Sequence, residues 1–92
     1  TGTFTGDVHI ADTIVHTGDT NTKIRFPSAD TITAETGGTE RFRITSDGKI
    51  GINQTPTREL SLHSPHNNNA LIHFTNDDTG ETSSDGILLG LD

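Results

Sequence analysis

Residues 41–53 read RFRITSDGKIGIN and contain the strongest local structural signal in the chain. Apolar and polar side chains alternate on both sides of the central SDG, which is the pattern of a β-hairpin with one apolar face. A two-residue turn at 47–48 would divide the apolar residues between the two faces of this hairpin. A three-residue loop at 46–48, with Gly48 in the left-handed conformation of a G1 bulge, keeps them together. The sequence therefore predicts the bulged hairpin, whose facing pairs are Ile44 with Ile50 and Phe42 with Ile52.

Similar short alternations, separated by Gly, Asp, Asn and Pro, occur along the rest of the chain. Thr occurs 17 times and Ile 9 times, and β-branched residues of this kind favour the pleated surface of a sheet. Apolar residues do not recur with the spacing of an amphipathic helix. The sequence therefore predicts an all-β chain. Its candidate strands are 7–10, 13–16, 22–26, 30–34, 41–45, 49–53, 59–63, 70–75 and 86–91.

The segment 54–57, QTPT, predicts a linker, because Pro56 favours an extended conformation at Thr55 and the neighbouring residues are polar. We therefore expect three parts: a β module at 1–53, the linker at 54–57, and a second β segment at 58–92 that looks incomplete. The sequence starts without Met and ends within an apolar pattern. We expect it to be part of a longer polypeptide.

Apolar side chains are scarce for a chain of this length. Leu, Ile, Val and Phe together account for 21 of the 92 residues, close to the level of about 20% below which chains tend to stay disordered. Cysteine is absent, which excludes disulfides and thiolate metal clusters. Small domains without these supports usually gain their core from partner subunits. We therefore expect the chain to become stable by assembling with copies of itself.

The charge balance and the short apolar stretches argue against two classes of partner. The formal net charge is −7, from 13 acidic and 6 basic residues, whereas nucleic-acid binding requires clustered Lys and Arg. No apolar stretch approaches the length of about 18 residues that a membrane-spanning helix needs. We therefore expect neither a nucleic-acid partner nor insertion into a membrane.

Residues 6–53 resemble a module that recurs in the tail-fibre proteins of marine bacteriophages, especially those that infect cyanobacteria and other ocean bacteria. The motifs that carry the resemblance are GDV at 6–8, IAD at 10–12, IVHTGDTNT at 14–22, IRFP at 24–27, ADT at 29–31, ETGG at 35–38, ER at 40–41, RI at 43–44 and SDGKIGI at 46–52. The motifs follow one another in a fixed order, and the stretch 6–53 that they span is a little over half of the chain. The resemblance implies a structural segment of a phage tail fibre, part of the virion, that positions a receptor-binding end for attachment to the host.

The resemblance also implies a fibrous homotrimer of interwoven short strands, which is a triple β-spiral, a β-prism or an intertwined β-helix. Its expected partners are copies of the chain, other tail proteins and a host surface glycan or receptor. We expect the trimer core to contain six apolar residues: Ile24, Phe26, Phe42, Ile44, Ile50 and Ile52. We expect four basic residues to face acidic residues of neighbouring chains: Lys23, Arg25, Arg41 and Arg43.

Several polar clusters permit a metal-binding interpretation beside a structural one. Asp12, His16 and Asp19 straddle a strand and a turn, and Asp beside Gly is first of all a turn former. The oxygen-rich segment 76–81 lacks the ligand order of an EF-hand loop, so a solvated loop is favoured. Histidines around a three-fold axis would make a transition-metal site, and the candidates are His63, His66 and His73. No His-x-His pair supports that site, and we predict no metal and no cofactor.

Carboxylate pairs for glycan hydrolysis would have to come from the polar segment 76–85. The candidate pairs are Asp77 with Asp78 and Glu81 with Asp85. No Trp or Tyr is present to stack on a sugar ring, so we predict that the chain is not an enzyme. The alternative function is a receptor-binding tip or a bacterial surface adhesin, which would contact glycans through the loops 64–69 and 76–85.

Overall fold

The computed structural model describes residues 1–65, 69–78 and 87–91. These residues form eight β-strands and no helix, which confirms the predicted all-β class. The strands are β1 (Thr13–His16), β2 (Asp19–Arg25), β3 (Ile32–Thr36), β4 (Thr39–Ile44), β5 (Ile50–Ile52), β6 (Leu60–Leu62), β7 (Ala70–Phe74) and β8 (Ile87–Leu91). Strands β1 to β6 form one open sheet in sequence order, and β7 pairs with β8 in a second, two-stranded sheet.

The hairpin of β4 and β5 has the predicted bulged loop. Gly48 has a φ of 84°, a conformation that costs glycine nothing because it has no Cβ. The Thr45 amide donates to the Lys49 carbonyl at 2.9 Å, and the Gly48 amide donates to the Thr45 carbonyl at 2.9 Å. The resulting pairs are Ile44 with Ile50 and Phe42 with Ile52, so the predicted register is confirmed.

A second bulge corrects the register of the hairpin between β3 and β4. Its turn is Gly37–Gly38, with φ of 59° and 77°, and Thr36 faces Thr39 across it. A regular ladder from this turn would set Thr33 opposite Phe42. The register instead shifts between Ala34 and Glu35, so that Ala34 faces Phe42. The extra residue on β4 keeps the apolar residues of both strands on one side of the sheet.

Strand β6 lies parallel to β5, and a short crossover at 53–59 connects them. The crossover passes directly over Gly51, where a Cβ would lie 2.2 Å from the Gln54 carbonyl oxygen. Pro56 is buried against the sheet. The buried Ser61 hydroxyl accepts hydrogen bonds from the amides of Thr57 and Arg58, at 3.0 and 3.1 Å. Only glycine at position 51 leaves room for so short a connection.

The structure therefore differs from the predicted division of the chain at 54–57. This segment connects two neighbouring strands of one sheet and packs against it. Leu60 pairs with Ile50 and Leu62 pairs with Ile52, so β6 belongs to the same sheet as the first five strands. Along the described residues, the change of sheet comes after Leu62.

The predicted strand at 7–10 is wrong for the single chain. These residues have no regular secondary structure, and Val8 is 53% exposed. Apolar alternation alone does not make a strand, because each strand also requires a neighbour to receive its backbone hydrogen bonds. The remaining predicted strands are present, with ends that match or differ by up to three residues. None of the described segments is a helix that is long and apolar enough to cross a membrane.

Candidate assembly surface

The cross-strand register sorts the side chains of the six-stranded sheet into rows. The first row contains one residue from each strand: Ile14, Ile24, Ala34, Phe42, Ile52 and Leu62. The second row contains Ile32, Ile44, Ile50 and Leu60. Phe26 directly follows β2, and continuation of the β2–β3 register places it opposite Ile32, in the second row. Because side chains two residues apart point to the same side of a strand, both rows lie on one side, which we call the apolar face.

The apolar face remains open to solvent in the single chain. Ile24 is 48% exposed, Ile32 is 40% exposed and Leu60 is 56% exposed. None of the described residues is a buried large apolar residue, and the buried side chains besides Pro56 are the polar ones of Thr31, Thr33 and Ser61. Contiguous apolar surface of this kind marks an interaction site in soluble proteins.

The six predicted core residues all belong to the apolar face. Four of them form the two facing pairs of the β4–β5 hairpin. Ile24 aligns with them through Ala34, and Phe26 is 38% exposed at the end of the second row. The register thus brings together residues that lie up to 28 positions apart in the sequence.

Sequence reasoning missed four further members of this face: Ile14, Ile32, Leu60 and Leu62. Ile32 lies between Thr31 and Thr33, and the rule that kept the apolar pairs together in 41–53 would have found it. Ile14 is followed by the apolar Val15, so alternation alone does not assign it to a face. Leu60 and Leu62 required the parallel pairing of β6 with β5. No sequence rule predicts a parallel neighbour across a seven-residue crossover, since such connections usually take a dozen residues or more.

The opposite side of the sheet, which we call the charged face, carries basic side chains that find acidic partners within the chain. Arg25 donates two hydrogen bonds to the Asp12 carboxylate, at 3.1 and 2.9 Å, and lies 3.5 Å from Glu35. Arg43 donates two to the Glu40 carboxylate, at 2.9 and 2.7 Å. Lys23 lies 4.0 Å from Glu35. Three of the four basic residues expected to face neighbouring chains therefore have acidic partners in their own chain.

The fourth basic residue, Arg41, lies at the bulge of β4. Its Nε donates to the Thr36 hydroxyl at 3.0 Å. This contact ties together the two sides of the Gly37–Gly38 turn. Arg41 thus has a hydrogen-bonding role within the chain.

These contacts change the ionisation of the charged face. The hydrogen bonds from Arg25 hold the pKa of Asp12 below its usual 3.8. The hydrogen bonds from Arg43 hold the pKa of Glu40 below its usual 4.5. At the hairpin loop, the Thr45 hydroxyl lowers the pKa of Asp47 in the same way. The carboxylates are thus stabilised in their charged forms, which keeps the ion pairs intact at neutral pH.

The centre of the charged face is covered by its own side chains and by the crossover. Thr33 is 1% exposed, and it lies between Arg25 and Arg43 in the row that continues to Gly51 and Ser61. Among the described residues, its hydroxyl oxygen has no hydrogen-bond partner. The centre of the sheet is therefore covered on the charged side and uncovered on the apolar side.

The structure separates Asp12 from His16 and Asp19, which were the alternative metal-binding interpretation of this region. Asp12 binds Arg25, whereas His16 Nδ1 lies 3.5 Å from Asp19. Within the described ranges, no group of three or more His, Asp or Glu side chains is arranged to hold a metal ion. His66, Glu81 and Asp85 lie outside the described residues, as do parts of the loops 64–69 and 76–85.

An open groove of about 330 Å³ lies against β1, β2 and β3, and its lining includes Ile14, Ile24 and Ala34. Ala34 is the smallest residue of the first row, so the groove lies where that row has its shortest side chain. A groove at this position of an apolar row suits the insertion of an apolar side chain from another molecule.

The total exposed area is large for the size of the chain. It is 7211 Å², whereas a compact monomer of 9.8 kDa exposes about 5,200 Å². The exposed residues 1–11 contribute to this excess, together with the apolar face.

Comparisons of the chain with protein-family models, with curated proteins and with solved structures found no match.

Proposed function

We propose that this chain is a structural segment of a phage tail fibre, in which three copies bury their apolar faces against one another. The segment projects or positions a receptor-binding end for attachment to the host. One observation carries the proposed assembly: all large apolar residues of the six-stranded sheet except Val15 lie on one face, and none of them is buried in the single chain.

The energetics support self-assembly. Full burial of a Leu, Ile or Phe side chain contributes about 1.5 to 3 kcal/mol, whereas ordering the backbone costs about 1 to 2 kcal/mol per residue. Half-exposed side chains, such as Ile24 and Leu60, gain only part of this contribution. Burial of the ten large residues of the apolar face against other copies supplies the rest of the burial free energy.

The charges support a partner that is itself apolar. The ionised side chains of the charged face are paired within the chain, and neither apolar row contains a charged residue. A charged ligand would lose its hydration at this face without gaining an ion pair. Two copies of the apolar face can come into contact without removing any charged group of these rows from water. The trimeric state and the position in a tail fibre are supported by the resemblance of residues 6–53 to the tail-fibre module.

The experiment that tests the proposed function is immunogold electron microscopy of phage particles whose genome encodes this chain. An antibody fragment against the charged face is used, because that face stays accessible in the proposed trimer. We expect gold along the fibre, between its attachment point and its tip. Gold only at the tip would favour the receptor-binding alternative, and particles without gold would contradict a place in the fibre.

A further inference from the structure

We propose that the three-fold axis of the assembly runs perpendicular to the strands, along the two apolar rows, so that the three sheets form the sides of a β-prism. This inference rests on the proposed trimer and specifies its geometry. It selects one of the three fibrous architectures that the sequence leaves open.

The shape of the apolar face favours this direction of the axis. Each of β3 to β6 contributes two residues to the rows, so the face is only about 7 Å wide along the strands. It extends over six strands, or about 24 Å across them. An axis that follows the long dimension brings both rows of every strand to a similar distance from it.

The order of the strands favours the same direction. Strands β1 to β6 follow one another in sequence order across the sheet. The chain therefore advances perpendicular to its strands, and residues 1–12 and 63 onward leave the sheet at opposite edges. A fibre lengthens when successive segments of the chain advance along its axis. Perpendicular strands satisfy this requirement directly.

An axis parallel to the strands conflicts with this chain path. Three-fold symmetry would then place the β6 edge of one copy beside the β1 edge of the next copy. These are the edges at which the chain enters and leaves the sheet. Successive strands would then be arranged around the axis and not along it, so the chain would not lengthen the fibre.

The margins of the apolar face fit the corners of a prism. Thr22 and Thr36 lie two positions beyond Ile24 and Ala34, on the same side of the sheet. The Arg41 guanidinium is hydrogen-bonded to Thr36 at this margin. Polar side chains therefore begin where the apolar rows end, at the point where neighbouring sheets of a prism meet and water reaches the interface.

The occupant of the apolar face is therefore two further copies of the chain. The two rows contain no charged residue. When they extend along the axis, each row faces the same row of the neighbouring copies, so that no unpaired charge is buried.

Distances between spin labels test the direction of the axis. The charged face offers one row that crosses four strands: Val15, Lys23, Glu35 and Glu40. Three single-cysteine variants of the full chain, Val15→Cys, Lys23→Cys and Glu40→Cys, place a label on β1, β2 and β4. The chain contains no cysteine, so each trimer carries three labels at equivalent positions. Double electron–electron resonance measures the distance between them.

A perpendicular axis predicts the same label-to-label distance for all three variants, because every strand lies at the same distance from the axis. An axis parallel to the strands predicts a distance that decreases from Val15 through Lys23 to Glu40, since β4 lies near the middle of the sheet and β1 at its edge. Sedimentation of the same samples distinguishes a failure of the prism geometry from a failure of the proposed trimer. A trimer with decreasing distances overturns the prism alone, whereas a monomer overturns the proposed assembly and the prism with it.

Discussion

The two faces of the six-stranded sheet differ in how much of their structure a single chain supplies. On the charged face, Arg25 and Arg43 have acidic partners, the crossover covers Gly51, and Thr33 is almost fully buried. On the apolar face, two rows of large side chains remain open to water. Polar groups can be satisfied by pairs of neighbours, whereas apolar side chains need a second layer. The described residues supply partners for the polar groups but no second layer for the apolar side chains.

We expect the largest difference between the two faces when a charge is placed on each of them in turn. Ile24 and Val15 are similarly exposed, 48% and 44%, but they lie on opposite faces of neighbouring strands. Ile24→Asp puts three carboxylates into the shared interior, where an unpaired charge costs several kcal/mol. We expect sedimentation velocity to show loss of the trimer for Ile24→Asp and its retention for Val15→Asp. Equal behaviour of the two variants would show that the apolar face is not the interface.

The crossover that completes the charged face depends on Gly51. In Gly51→Ala, the new Cβ would lie 2.2 Å from the Gln54 oxygen and 2.8 Å from the Pro56 ring, so β5 and the crossover must separate. We expect a loss of about 1 to 3 kcal/mol in the free energy of unfolding, measured by urea denaturation at fixed chain concentration. Gly6→Ala is the matched control, because nothing lies within 4 Å of its Cβ position. A Gly51→Ala variant as stable as Gly6→Ala would argue against the described crossover.

The register that gathers the apolar residues depends on Gly48 in the bulged loop. Gly48→Ala forces a residue with a side chain into a φ of 84°, at a cost of about 1 to 2 kcal/mol. Gly48→Asn should lose less, since asparagine tolerates the left-handed conformation better than alanine. Thermal denaturation of both variants, at equal chain concentration, checks the order. If alanine were tolerated as well as asparagine, the loop would not have the bulged conformation.

The ion pairs of the charged face should have the smallest effect. The folded pKa of Glu40 lies below its usual 4.5, so the unfolded chain binds more protons near that pH. The contribution of Glu40 is therefore complete above about pH 4.5 and is lost as the pH falls through the lowered folded value. At neutral pH, we expect Glu40→Gln to be less stable than the unmodified chain by under about 1 kcal/mol. The difference, followed by thermal denaturation, should shrink in acid; a difference that grew in acid would contradict the pairing with Arg43.

The part of the fold that the sequence predicted is the part governed by local rules. The alternation and the SDG loop of 41–53 determine the pairing of Ile44 with Ile50, because only one loop length keeps the apolar residues together. The same pattern at 7–10 failed, since a strand also needs a hydrogen-bonding neighbour that this segment lacks in one chain. The six predicted core residues lie on one face, because the period of two applies within every strand.

The features that could not be predicted depend on contacts between distant residues. The bulge at Arg41 shifts the register of β3 against β4, and turn length alone would have given the wrong pairs. The parallel pairing of Leu60 with Ile50 depends on the space left by the missing side chain of Gly51. The intrachain partners of Arg25 were missed for a similar reason, since Asp12 lies 13 positions away and reaches Arg25 only after β1 and β2 have paired.

The central claim is that one copy cannot cover its own apolar face, so that folding and assembly occur together. Dilution of the unmodified chain, followed by sedimentation equilibrium and far-ultraviolet circular dichroism on the same samples, tests it most directly. We predict that the mass falls from three chains to one over the same concentration range in which the β-sheet signal is lost. A particle of 9.8 kDa that keeps its full β-sheet signal at the lowest concentration would contradict the claim.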